Sequence, residues 1–148
     1  MLAASHQMNT LCLRTIKAGM AYFFLVFGSG FIMGAIRVPF LVPRLGERTA
    51  ELIEMPFMFI VIVLAARYIT KRFALPATVL ARLTTGFIAL GLLIAAELLL
   101  ALALQDRSLG EYVSSRDPVS GSIYLAMLAL FAAMPLVITR LQFGRDNA

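Results

Sequence analysis

The chain has no tryptophan, one cysteine (Cys12), one histidine (His6) and only 14% charged residues. Each scarcity excludes something. A single cysteine cannot close an internal disulfide. One histidine cannot supply a bis-histidine haem site or a multi-histidine zinc site within one chain. The charged share falls well below the roughly 25% of an ordinary soluble domain. The 61% hydrophobic residues exceed the roughly 45–50% usual there. With a mean hydropathy of +0.90, this composition excludes both an ordinary soluble globule and a disordered chain. The sequence also lacks a Walker A loop, a GxSxG elbow and an HExxH pair, so no reaction signature is present.

What is there is apolar length. A bilayer core of about 30 Å is crossed by roughly 20 apolar residues in a helix. Four segments approach or meet that need, at about 18–36, 51–70, 82–104 and 119–139. The expected fold is therefore an all-α integral membrane four-helix bundle, with residues 1–148 forming a single transmembrane domain. Ala18–Ile36 is uncharged. The second segment has a charge-free stretch of Met55–Ala66 inside a helical pattern running from Glu47 to Arg72. The third, over Leu83–Leu104, carries one charge, Glu97. The fourth contains Pro135, whose missing N–H frees a carbonyl that a neighbouring helix can satisfy. Ile36 is followed by Arg37, Val38 and Pro39 rather than a small-residue cleavage site, which predicts a retained helix and not a signal peptide. Residues 1–17 are expected either to lie on the membrane surface as a weakly amphipathic segment or to form a disordered tail. Pro39, Pro43 and Gly46 are expected to stop the first helix and start the second, and Pro76 to start the third. Tyr22, Tyr68, Tyr112 and Tyr124 can serve as interfacial belt residues.

The charges set an orientation. The N-terminus, the second connection and the C-terminus share one side, which holds eight Lys or Arg residues, among them Lys71, Arg72 and Arg82, against one acid, Asp146. The other side holds five Arg residues against six acids. The positive-inside bias predicts both termini in the cytoplasm and a multi-pass protein of the inner (plasma) membrane. A net charge of +5 is then explained by anionic lipid, not by nucleic acid, because the basic residues are dispersed along the membrane boundaries.

The most informative stretch is Arg37–Pro56. Glu47, Glu51 and Glu54 fall at i, i+4 and i+7 of the expected second helix and share a narrow face, continued by Met58, Val61 or Ile62, and Ala65. Like charges at these spacings repel, so a cation should compensate. Arg37, ending the first helix on the same side, is the first candidate, and Arg44 and Arg48 are alternatives. The plainer reading is a solvated helix start with its acids near the N-terminal dipole. Glu97 lies about 12 Å inside its helix end by rise per residue, where a carboxylate is expensive unless paired, protonated or hydrated. It is either a proton or cation site or a buried structural pair. A polar cluster of Arg37, Glu51, Glu54 and Glu97 is expected at the membrane boundary.

Gly30 and Gly34 form a GxxxG pattern on the first helix, and Gly86 and Gly91 lie on the third. Such glycines let helices approach closely in lipid, within the bundle or against a second copy or partner. Met33, Met55 and Met58 offer thioethers for Cu(I), but with no Cys or His nearby they read better as gap fillers. No metal and no cofactor is expected.

Residues Glu47–Phe59, ERTAELIEMPFMF, resemble the second-helix segment of the membrane-associated eicosanoid and glutathione metabolism family, whose members are also small, basic, four-helix membrane proteins. Arg48, Glu54 and Phe57–Phe59 correspond to that family's Arg, Glu and aromatic-rich run, while its Asn has no counterpart. The resemblance implies a glutathione-dependent membrane enzyme with Arg48 contacting the thiol ligand. The whole pattern also resembles small four-span bacterial inner-membrane proteins. From the residues themselves, two other functions are expected. One is an accessory or assembly subunit that packs against itself or a larger membrane complex. The other is a proton- or cation-coupled small transporter using Glu97 and the Glu51/Glu54 face.

Overall fold

In a chain this apolar, backbone polar groups are satisfied most economically within helices, and helices are what form. The structure, a computed structural model, describes the backbone of residues 2–105 and 118–146 and the side chains of residues 8–100 and 118–140. Among the described residues it contains α1 (Leu2–Phe40), α2 (Val42–Leu45), α3 (Glu47–Arg72), α4 (Val79–Gln105) and α5 (Pro118–Asp146), and no strand. Four of these hold stretches long and apolar enough to cross a membrane: Met8–Phe40, Glu47–Arg72, Val79–Leu100 and Pro118–Arg140. The third connection, with Tyr112 and the charges Asp106, Arg107, Glu111, Arg116 and Asp117, lies outside the described residues, as do the side chains of His6, Arg145 and Asp146.

Three boundaries differ from the expectation. Residues 2–17 are neither a separate surface segment nor a tail but the first turns of α1, a continuous helix of 39 residues, about 58 Å long by rise per residue. Arg14 and Lys17 interrupt the apolar run without interrupting backbone hydrogen bonding, because both are good helix formers. Pro39 does not stop α1 but lies inside its last turn. The reversal comes later, at Leu41 and at Gly46, whose φ of +78° suits a residue without a Cβ. Pro76 belongs to the link before α4, which starts at Val79. The C-terminus of α3 closes through Ala74, at φ +45°. Its N–H donates to the Lys71 carbonyl, and the Leu75 N–H donates to the Thr70 carbonyl. This is a Schellman closure with alanine where glycine is usual, and it turns Leu75 into the core, where it is 5% exposed.

Around the bundle, α1 packs on α3 and α4, and α5 packs on the same two helices. The cyclic order is therefore α1–α3–α5–α4, with α3 and α4 on a diagonal although only a short link joins them. Arg82 spans that diagonal. It is 5% exposed. Its Nε donates to the Pro76 carbonyl at 2.9 Å, Nη2 to the Leu75 carbonyl at 2.9 Å, and Nη1 to Thr70 Oγ1 at 3.1 Å and the Pro135 carbonyl at 3.4 Å. Arg82, read from the sequence as one more boundary charge, instead ties α3, the link and α5 to α4.

Close approach of helices is concentrated in this half. A Cβ on Gly86 would overlap the Ala132 carbonyl of α5, and one on Gly19 would lie 2.8 Å from Ile88. Ala18, Ile69, Leu75 and Ile138 fill the core there. At mid-bundle Tyr22 is fully buried and stacks on Phe131 with ring centroids 4.5 Å apart. Its hydroxyl donates to the Phe131 carbonyl at 3.0 Å. Phe131 is the residue four before Pro135, so this is the carbonyl that the proline leaves without its helical partner.

Candidate functional site

Toward the opposite end, where α1 finishes, α3 begins, α4 finishes and α5 begins, the helices separate around a chamber of about 280 Å³. Helix rise gives it a depth of about 16 Å, from Arg37 down to Val26 on α1 and from Glu51 down to Ile62 on α3. Its lining ends at the level of Val26, Ile62, Leu93 and Phe131, and the Tyr22–Phe131 stack lies directly against that floor. Gly30 and Gly34 line the chamber instead of seating a neighbouring backbone. A Cβ on Gly30 would meet only the Met58 side chain, at 3.3 Å, and one on Gly34 would meet nothing within 4 Å. Among the described glycines the tight ones are Gly86 and Gly19; Gly19 forms no GxxxG pair and was not singled out from the sequence.

All four expected polar residues line this chamber. Arg37, three residues before the end of α1, reaches across to α3. Its Nη1 lies 3.2 Å from Glu51 Oε1 and its Nε 3.0 Å from Glu54 Oε2. The contact with Glu54 is one of charge and not of hydrogen bonding: the Nε–H is buried and makes no hydrogen bond. One guanidinium is thus shared between two carboxylates. The side chains of Arg37, Glu51 and Glu54 keep 22, 23 and 17% of their surface accessible, so the chamber is open to its surroundings at this level. Glu47, at the start of the same acidic face, is exposed and does not line it. The face itself continues as expected through Met58 and Ile62.

Glu97 does not join Arg37. Its Oε2 accepts a hydrogen bond from the Tyr124 hydroxyl of α5. Tyr124 is therefore a member of the site, and Tyr22 its support, where the sequence suggested belt residues for both. Nothing in the sequence distinguishes Tyr124 from Tyr68, which is 56% exposed. One clue existed for Tyr22: a proline inside an apolar helix creates a need for a donor.

The remaining wall is aromatic and thioether. Phe27, Phe31 and Phe131 line it, as do Met55, Met58 and Met127. Beyond the Arg37–Glu54 contact lies a second recess of about 200 Å³, lined by those two residues and otherwise by apolar side chains such as Met33, Ile36, Ile53 and Phe57. The contact is thus a wall between the interior chamber and an apolar recess on the outer face of α1 and α3. Among the described residues no three His, Cys, Asp or Glu side chains come together so as to hold a metal ion. Arg48 and Phe59, two of the residues behind the family resemblance, do not line the chamber.

Among the described residues lining the chamber, one guanidinium stands with three carboxyl groups, between walls of hydrocarbon, aromatic rings and thioethers. Compared with protein-family models, curated proteins and solved structures, the chain matches none.

Proposed function

We propose that this chain is a small carrier of the inner (plasma) membrane, with both termini in the cytoplasm, that couples the movement of a cation to that of a proton. The observation that carries the reading is the chamber itself: among its described lining residues three carboxyl groups stand with one guanidinium, over a floor that includes Phe131, which stacks on Tyr22. A merely structural ion pair needs no such space. In the proposed cycle Glu97, whose Oε2 accepts the Tyr124 hydroxyl, is the carboxyl group that the cation and the proton occupy in turn. Glu51 and Glu54 keep the rim negative, and Arg37 holds them in place.

The assembly reading has less support, because Gly30 and Gly34 line the chamber and leave the expected GxxxG face of α1 engaged with the interior. The glutathione reading loses Arg48 from the site.

The test is reconstitution of the full chain into liposomes loaded with a pH-sensitive dye. Gradients of Na⁺, K⁺ and an organic ammonium ion are imposed in turn. At least one is expected to drive proton movement in the opposite direction, and Glu97→Gln is expected to reduce this to the background of empty liposomes while the helical circular dichroism is retained. No flux with any of the three cations, or undiminished flux in Glu97→Gln, overturns the proposal.

A further inference from the structure

We infer that the cation fitted to this chamber is an organic ammonium ion with an apolar body, not a metal ion. The inference deepens the carrier reading and rests on it for its purpose, but its chemistry comes from the chamber walls.

A hard metal ion asks for six or more converging oxygen ligands. Here the oxygens are dispersed. Glu51 and Glu54 are held by Arg37 on one side, Glu97 by Tyr124 on another, and among the described residues no three acidic side chains come together to hold a metal. An alkylammonium or arylammonium ion asks for something else. It needs a negative site that need not strip a tight hydration shell, and a surface that accepts hydrocarbon. The walls provide both. Phe27, Phe31 and Phe131 line the wall and give it an aromatic, electron-rich character suited to a diffuse positive charge. Met55, Met58 and Met127 are flexible, polarisable side chains that mould to an irregular body. The volume of about 280 Å³ is close to the lower end, roughly 300 Å³, of small-molecule sites, and is far larger than one ion requires. The apolar recess behind the Arg37–Glu54 contact adds that a ligand dissolved in the apolar layer has a surface to rest on next to the chamber wall.

The test uses the full-length chain in maltoside micelles and benzyltrimethylammonium as the probe, with binding measured by calorimetry. Neopentylbenzene, of the same shape without charge, and benzenesulfonate, of opposite charge, are the controls. Saturable binding is expected for the ammonium ion alone. Glu97→Gln is expected to weaken it at least tenfold. Gly34→Leu, which places a branched side chain where a Cβ has no neighbour within 4 Å, is expected to weaken it by a similar factor by occupying space. It decides the matter should Glu97→Gln fail to fold. Equal binding of neopentylbenzene makes the chamber a hydrocarbon site and overturns the inference. So does competition by Na⁺ or K⁺ at equal concentration, or binding undiminished in both variants. The two proposals fail separately. Binding of benzyltrimethylammonium without flux in liposomes removes the carrier and leaves the ligand class, whereas proton flux driven by Na⁺ or K⁺ without ammonium binding removes the ligand class and leaves the carrier.

Discussion

Removing one oxygen atom from Tyr22 tests the account of how the chamber floor is held. In Tyr22→Phe the ring stays, and with it the stack on Phe131, so the packing loss is small. What goes is the donor to the Phe131 carbonyl. That carbonyl has no second donor from its own helix, because residue 135 is a proline, and it belongs to the core, Tyr22 being fully buried and Phe131 1% exposed. A net hydrogen bond is worth about 1 kcal/mol, and a buried acceptor left alone costs about 1–3 kcal/mol. Interhelical hydrogen bonds in membrane bundles average nearer 0.6 kcal/mol because donors find partners in the unfolded state as well. The orphaned carbonyl moves the expectation to the upper side of that average, about 1–2 kcal/mol, a factor of about 5–30 in the unfolding constant. The reasoning makes a sharper claim about context. Pro135→Ala restores an N–H that can close the α5 ladder onto Phe131, so in that background Tyr22→Phe should cost little. The four proteins of the cycle are compared by reversible unfolding in mixed micelles, followed by circular dichroism. A coupling energy near zero, with Tyr22→Phe costing the same beside Pro135 and beside Ala at 135, refutes the assignment of this bond to the proline-freed carbonyl.

Two further substitutions test the other half of the bundle. Arg82→Lys keeps the charge but replaces a planar fork with a shorter point donor. It cannot reach the Leu75, Pro76 and Thr70 acceptors together, so a loss of about 1–3 kcal/mol is expected in the same unfolding assay, from acceptors left unmet. Arg72→Lys, at an exposed helix end, serves as the control and should be neutral, and equal behaviour of the two would return Arg82 to the status of a boundary charge. Ala74→Gly should stabilise the chain, by about 1 kcal/mol at most, since the left-handed conformation at φ +45° costs an L-residue roughly 1–2 kcal/mol and glycine's greater unfolded-state freedom offsets part of the gain. A decrease in the unfolding midpoint would contradict the closure described for α3.

How much of this was legible in the sequence depends on contrast. Arg37, Glu51, Glu54 and Glu97 stand out because a charge in an apolar chain has few reasons to be there, and helical periodicity alone puts Glu51, Glu54, Met58 and Ile62 on one face. Their chamber could be anticipated only as a cluster. Tyr124, Phe131 and Met127 carry no contrast, since aromatic and thioether side chains are what any lipid-facing helix also shows. Which of them points inward depends on the rotation of α5, and that is set by a backbone contact, Gly86 on Ala132. The order of helices around the bundle is equally silent, because four apolar helices satisfy the same hydropathy in any arrangement. Arg82 was misread for the opposite reason: charges near helix ends are normally solvated, and charge counting has no means of recognising one that is spent on carbonyl groups.

The two halves of the bundle thus use small residues and aromatic rings in different ways, and the difference is what makes a site. In lipid there is no hydrophobic drive to close a gap between helices, so a gap persists unless specific contacts close it. At the Arg82 end they do: Gly19 and Gly86 bring backbones together, and Arg82 and the Schellman turn lock the diagonal link. At the other end Gly30 and Gly34 meet no backbone, and bulkier Phe and Met side chains hold the helices apart. The Tyr22–Phe131 pair marks the change, and it does so at a proline that any straight, uninterrupted α5 would lack. A closely packed half and an open half thus meet at a proline-marked level. The Arg37 guanidinium, whose Nε makes no hydrogen bond, stands between the chamber and the apolar recess outside it.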